Sequence, residues 1–466
     1  MLFSSIPFLF YFLPLVLIAY FAVPGRFKNL ILLLASLFFY AWGEPKYVVL
    51  MLISIVQGYA FGLLIEKYQG GKAAKLFLSL SVLVSLGLLA YFKYADFFLS
   101  SVNAVAGLSL PLLKLALPIG ISFYTFQVLS YVIDVYRGTV PPQRNLLQLA
   151  TYVAMFPQLI AGPIVRYADI APELIRRRHT LTDAAAGARR FVVGLGKKVL
   201  IANVLYELMS AFLQSTQPSV LFTWLYAVAC ALQIYFDFSG YSDMAVGLGR
   251  IFGFHFPENF RYPFLSGSVT EFWRRWHISL GSWFRDYVYI PLGGSRCSRS
   301  RWLLNVFLVW GLTGLWHGAA WNFVLWGLFF AVLLAAEKLW YGHGLEKTRL
   351  LKHLYMLPLL AVSFVLFHAA DLPAAGQRIA ALFGFGGLPA SGVESLYYLR
   401  SYAVVLVIAL LGATPLPAKA VQRLRDTSAG SAVLSVAEPV ALVLLLALCT
   451  AYLVDGSFNP FLYFRF

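Results

Sequence analysis

Residues Gly311 to Gly327 read GLTGLWHGAAWNFVLWG. The run is apolar and helix-compatible, with one ionisable side chain, His317, near its middle. A polar or ionisable group at membrane depth is costly, so it usually faces a partner or a cavity. The neighbours of His317 are small (Gly314, Gly318, Ala319, Ala320) or aromatic (Trp316, Trp321, Trp326). Small residues allow close approach of a backbone or a substrate, and indole N–H groups donate from an otherwise apolar wall. Taken alone, the pattern fits a core histidine bonded to a carbonyl as well as it fits a functional one. The apolar helix around it sets the fold class.

The rest of the chain agrees with that class. Of 466 residues, 60% are hydrophobic, 17% aromatic and only 12% charged, and the mean hydropathy is +0.76. Soluble globular chains carry about twice that share of charge. The sequence predicts an all-α polytopic membrane protein, because a helix satisfies its own backbone in lipid. The alternating ten-residue segments of an outer-membrane barrel are missing.

The net charge of +16 lies mostly in short runs between apolar spans. It reads as positive-inside topology and lipid-headgroup contact, not nucleic-acid binding. Cys230, Cys297 and Cys449 are scattered, with no CxxC, and offer neither a disulfide framework nor a zinc site. Gly194-Leu-Gly-Lys-Lys198 lacks Walker A spacing, and Gly247 to Gly253 is one residue off a dinucleotide fingerprint.

In chain order, Ile6 to Val23 has no basic residue before it, and Arg26 and Lys28 follow it. This predicts an uncleaved first helix with its N-terminus outside. Leu146 to Ile164 holds Pro157, Gly162 and Pro163 and is expected to break into a re-entrant or half-spanning piece. Arg166 to Lys198, with Arg176-Arg-Arg178, Arg189-Arg190 and Lys197-Lys198, reads as the strongest cytoplasmic mark. Val199 to Phe212 and Leu221 to Phe236 read as a helical hairpin. Asp237 and Asp243 then follow among aromatics, as scaffold acids paired with basic groups or as orienters of a histidine. Asn259 to Gly294 is strongly aromatic and basic, and suits a partly buried segment at the cytoplasmic face. The helix of the opening stretch is expected to run on to Leu339. Counting about 20 residues per span gives roughly eleven spans plus partial helices in a single domain, 1–466.

FWRRWHISLGSWFRDYVYIPLGG, followed by GLWHGAAWNFVLWG, resembles the membrane-bound O-acyltransferases. FPQLIAGPIVR, YFDFSGYSDMAVGLGR and the C-terminal FNPFLYFRF are similar to the alginate O-acetyltransferase branch, which includes exopolysaccharide and peptidoglycan O-acetylation. The resemblance covers nearly the whole chain. It implies a ring of helices around a central tunnel. A cytoplasmic acyl donor, acetyl-CoA, would meet a periplasmic acceptor there, with no tightly bound cofactor. The family's two histidines fall on His317 and His277.

An acyl thioester is already activated, so the residues must deprotonate a hydroxyl and steady the oxyanion. A histidine near neutrality suits the proton transfer. His317 is expected to be the general base or a transient acyl carrier. His277 would assist by orientation, proton relay or a hydrogen bond to the oxyanion. Trp316, Trp321 and Asn322 are candidate oxyanion or tunnel residues by proximity. Arg274, Arg275 and Arg285 could grip the donor's phosphates, or lipid phosphates equally well. Tyr463, in FLYFRF, is either an interface anchor or an acyl relay, since a phenol ester leaves more readily than an alkyl one. By the resemblance, a separate periplasmic acetyltransferase completes transfer to an alginate-like polysaccharide at the bacterial inner membrane. The competing readings are D-alanyl transfer to teichoic acid from a carrier protein, an export or transport subunit, and a structural subunit of a polysaccharide synthase.

Overall fold

A computed structural model describes residues 1–456. Tyr463 therefore lies outside the described residues. Every regular element among them is helical. Among the described residues, six helices are long and apolar enough to cross a membrane: Pro45–Lys67, Lys72–Ala106, Val220–Ile251, Trp321–Leu345, Leu351–His368 and Ser428–Asp455. Val393–Ser401 and Ala403–Gly412, bent by 57°, make a seventh if they count as one broken span. Other apolar stretches in the expected roughly eleven form shorter helices, such as Phe8–Ala22, Lys28–Gly43 and Ile121–Arg137.

The described residues divide into two compact units, 1–191 with 244–257, and 192–243 with the residues from 258 on. In the first, Ile121–Arg137 is buried on nearly every side. It packs against Val48–Lys67, where Gly58 and Gly62 make room for Val128 and Tyr131. The break expected in Leu146 to Ile164 is present. Leu146–Ala154 begins at Asn145, whose side chain accepts from the Leu147 N–H at 2.9 Å, and it ends at Met155. Phe156–Leu159 then restarts with Pro157 in its first turn, where a missing N–H leaves no bond unmade.

The second unit corrects three sequence expectations. The helix expected to stop at Phe236 continues as Val220–Ile251. It can carry two acids because both are neutralised. Lys198 Nζ lies 2.6 Å from Asp237 Oδ1, and Lys197 Nζ lies 2.6 Å from Asp243 Oδ2. Lys197 and Lys198 are therefore partners of the scaffold acids and not a solvated topology signal; Lys198 is buried.

The opening stretch is also not one helix. Arg299–His317 ends at His317, Gly318 is extended (φ −172°, ψ 153°), and Trp321–Ala336 starts anew after Ala320. The two helices pack closely as a hairpin. Glycine permits it: a Cβ on Gly314 would run into the Phe323 carbonyl, and one on Gly327 into the Trp310 carbonyl. Hydropathy sees one continuous apolar run, whereas the close backbone approach requires two arms and a turn.

Candidate active site

His277 sits between two short helices, Val269–Arg275 and Ile278–Phe284. The first is fixed at its N-terminus by side chains. Ser268 accepts from the Glu271 N–H at 3.1 Å. The buried carboxylate of Glu337 accepts from the N–H groups of Val269 at 2.6 Å and Thr270 at 3.2 Å. A carboxylate there also complements the positive end of the helix dipole.

His277 itself adopts a left-handed backbone, φ 44° and ψ 52°. For a non-glycine residue this costs on the order of 1–3 kcal/mol and persists only where the surroundings over-determine it. They do so through a clamp to the preceding loop. The Ile278 N–H donates to the Asn259 carbonyl at 3.0 Å, and the Arg261 N–H donates to the Arg275 carbonyl at 2.9 Å.

That clamp points the imidazole inward, leaving the residue 1% exposed. Its Nδ1 lies 3.2 Å from Asn259 Oδ1. The same oxygen accepts from the Ser279 N–H at 3.2 Å and the Ser279 hydroxyl at 2.9 Å. The Phe238 ring closes one side at 4.7 Å between centres, and Trp316 another at 5.8 Å.

The hairpin delivers the second imidazole. His317, the last residue of its helix, is 4% exposed. Its ring centre lies 6.3 Å from that of His277. Trp326, at 5.1 Å, and Phe367, at 5.3 Å, meet it edge to face. The structure thus brings together two histidines that are forty residues apart in sequence, in a wall otherwise aromatic. Burial first, and the nearby His317 charge second, hold the His277 pKa well below the usual histidine value. A neutral ring of this kind can accept a proton.

The membrane-bound O-acyltransferase family model matches residues 142–369, which contain both histidines, Asn259 and the hairpin. The chain is 42% identical to "Probable alginate O-acetylase AlgI" of Azotobacter vinelandii, covering 100% of each. It is 34% identical to the "Peptidoglycan O-acetyltransferase" of Helicobacter pylori, over 83% of this chain and 81% of that one. It is 32% identical to the "Teichoic acid D-alanyltransferase" of Bacillus subtilis, over 46% and 58% respectively. The chain belongs to the membrane-bound O-acyltransferase family.

As a membrane-bound O-acyltransferase, it is a multi-pass enzyme of acyl transfer, and the other sequence candidates can be placed on that footing. Trp316 is buried beside His277. Asn322 is buried too, with its amide donating to the Ala369 carbonyl at 3.1 Å. Trp321 opens the second hairpin arm and is 53% exposed. The three arginines differ in their surroundings. Arg274 is exposed, Arg275 pairs with Glu271 at 2.6 Å, and Arg285 pairs with Asp286 at 2.6 Å.

Sequence reasoning missed Asn259, Ser279, Phe238, Phe367 and Glu337. Ser279 follows His277 by two residues, and Asn259 opens the same block, so an Asn–His–Ser grouping was a readable signal. Phe238, Phe367 and Glu337 come from distant helices and left no local sign.

Proposed function

We propose that this O-acyltransferase moves an acetyl group from cytosolic acetyl-CoA across the bacterial inner membrane for O-acetylation of an extracytoplasmic polysaccharide. An alginate-like exopolysaccharide is the first choice of acceptor, and a periplasmic acetyltransferase is the partner that completes delivery. The N-terminus lies on the periplasmic side. The observation that carries the reading is the buried pair of imidazoles, 6.3 Å apart between ring centres, in an aromatic wall.

The chemistry is proton handling around an activated thioester. A nitrogen of His317 takes the proton of the acceptor hydroxyl as its oxygen attacks the acetyl carbonyl carbon. The tetrahedral oxyanion collapses, the C–S bond breaks, and the leaving thiolate recovers the proton from the imidazolium. His277 assists. General base catalysis of this kind is worth roughly 10²–10⁴-fold. Arg274, Arg275 and Arg285 are the donor-side cations, and Tyr463 is the candidate relay to the partner. The names of the relatives matched over most or all of the chain support an acetyl group and a polysaccharide acceptor. The D-alanyl reading has weaker support, from a relative matching 46% of this chain.

The test is the ester content of the polymer made by cells carrying His317→Ala at normal membrane abundance. The expected result is loss of O-acetyl esters with polymer yield unchanged. Wild-type acetylation would overturn the reading, loss of the polymer itself would indicate a synthase subunit, and loss of D-alanyl esters alone would indicate teichoic acid.

A further inference from the structure

Asn259 offers a single oxygen to three donors at the site: His277 Nδ1 at 3.2 Å, the Ser279 N–H at 3.2 Å and the Ser279 hydroxyl at 2.9 Å. A backbone N–H can only donate. The Asn259 atom facing it must therefore be the carbonyl oxygen, which fixes the orientation of the amide. That oxygen can only accept. His277 must then carry its proton on Nδ1, and in the neutral ring Nε2 is left with a bare lone pair. Among the described residues Nε2 is buried with no hydrogen-bond partner. The His317 ring centre lies 6.3 Å from that of His277; Phe238 and Trp316 supply rings around it, and Asn259 and Ser279 supply neutral polar groups.

We propose that Asn259, steadied by Ser279, is a positioning residue that locks His277 in its Nδ1–H form and so presents Nε2 as a proton acceptor to the reacting groups. The inference rests on the acyl-transfer reading above and selects among the roles open to His277. In its neutral form a ring with Nδ1–H committed and Nε2 bare has no proton to give from Nε2. It acts as a relay, receiving the hydroxyl proton from His317 and returning it through His317 to the departing thiolate. No further reactant is needed.

The left-handed backbone of His277 belongs to the same device. The Ile278 N–H to Asn259 carbonyl bond and the side-chain bond to Nδ1 hold both the strained turn and the ring from one residue. A tautomer error in a comparable imidazole network costs several orders of magnitude in rate.

The test uses the full-length protein in nanodiscs. Thiol release from acetyl-CoA is followed against pH with oligomannuronate as the acceptor probe, for Asn259→Leu, Asn259→Asp, Ser279→Ala and His317→Ala. Asn259→Leu should lose at least 100-fold in kcat with KM for acetyl-CoA little changed. Asn259→Asp keeps an acceptor for Nδ1–H and should retain at least a tenth of the rate. Its carboxylate favours the charged ring, so the acid limb of its profile should move up by about one pH unit or more. Ser279→Ala should stay within about fivefold of wild type. The inference is overturned if Asn259→Leu matches wild type, if Asn259→Asp is as inactive as Asn259→Leu, or if Asn259→Asp is active with an unmoved profile. An active His317→Ala would instead sink the acyl-transfer reading on which the inference rests.

Discussion

Lys198 Nζ stands 2.6 Å from Asp237 Oδ1, and each side chain is 1% exposed. Such a pair gives weak net stability, because desolvation offsets most of the attraction, but removing one partner leaves a buried charge uncompensated. Asp237→Ala should cost about 3–5 kcal/mol, read as a lowered thermal midpoint of the detergent-purified protein. Replacing both partners by apolar residues, Lys198→Met with Asp237→Leu, should recover most of that loss. A double variant as unstable as the single one would show that the carboxylate has another structural duty.

This pair also marks where the sequence was legible and where it was not. The all-helical membrane class follows from hydropathy alone, and His317 stands out as an ionisable residue in an apolar run, whereas His277, in an aromatic and basic segment, was picked out by the family resemblance. Lys197 and Lys198 read as loop charges because their partners lie about forty residues downstream, on a helix that hydropathy ends too soon. The hairpin was hidden for a similar reason. Apolarity is the same for one continuous helix as for two arms, and only the glycines at 314, 318 and 327 hint at the fold-back. Asn259 opens the block that holds His277 and Ser279, so the grouping was readable, but the contact itself crosses a loop where no periodicity relates Asn259 to His277.

His277 predicts a pH dependence of stability. Its folded pKa lies well below the ordinary value of 6.5, from burial and then from His317. Below pH 6.5 the unfolded chain takes up a proton that the folded one resists. Stability is therefore full above that pH and falls as pH drops toward the folded pKa. The slope from one such group is at most about 1.4 kcal/mol per pH unit. His179, lowered by burial and then by Lys28 and Arg177, acts in the same direction. Thermal midpoints between pH 5 and 7.5 should show a shallower fall for His277→Gln than for wild type. An identical slope would mean that the buried ring is protonated without cost.

The three candidate donor-side arginines should not behave alike. Arg275 is tied to Glu271 and Arg285 to Asp286, whereas Arg274 is exposed at the end of its helix. Arg274→Ala should raise KM for acetyl-CoA about tenfold, the worth of one charge-assisted hydrogen bond at ~1.5 kcal/mol, with kcat nearly unchanged. Arg275→Ala should change KM less, since Glu271 already takes part of its hydrogen-bonding capacity. An unchanged KM in Arg274→Ala would leave that side chain to lipid headgroups.

The hairpin that carries His317 makes a prediction of opposite signs at neighbouring glycines. An alanine in a helix interior is intrinsically better than glycine by about 0.5–1 kcal/mol. At Gly311 the nearest atom to a new Cβ is Leu328 Cδ2 at 3.9 Å, an ordinary contact, so Gly311→Ala should be neutral or mildly stabilising. At Gly314 and Gly327 the new methyl meets a backbone carbonyl of the facing arm, which cannot rotate away as a side chain would. Each of those substitutions should cost about 1–3 kcal/mol or more and push the arms apart. Since His317 is the last residue of the first arm and Trp326 sits beside Gly327 on the second, the separation also loosens the aromatic wall around the imidazole. Gly314→Ala and Gly327→Ala should therefore lower the turnover of the folded fraction as well as its amount, measured as thiol release per mole of protein recovered by gel filtration. Full specific activity in either variant would show that the tight crossing serves stability alone.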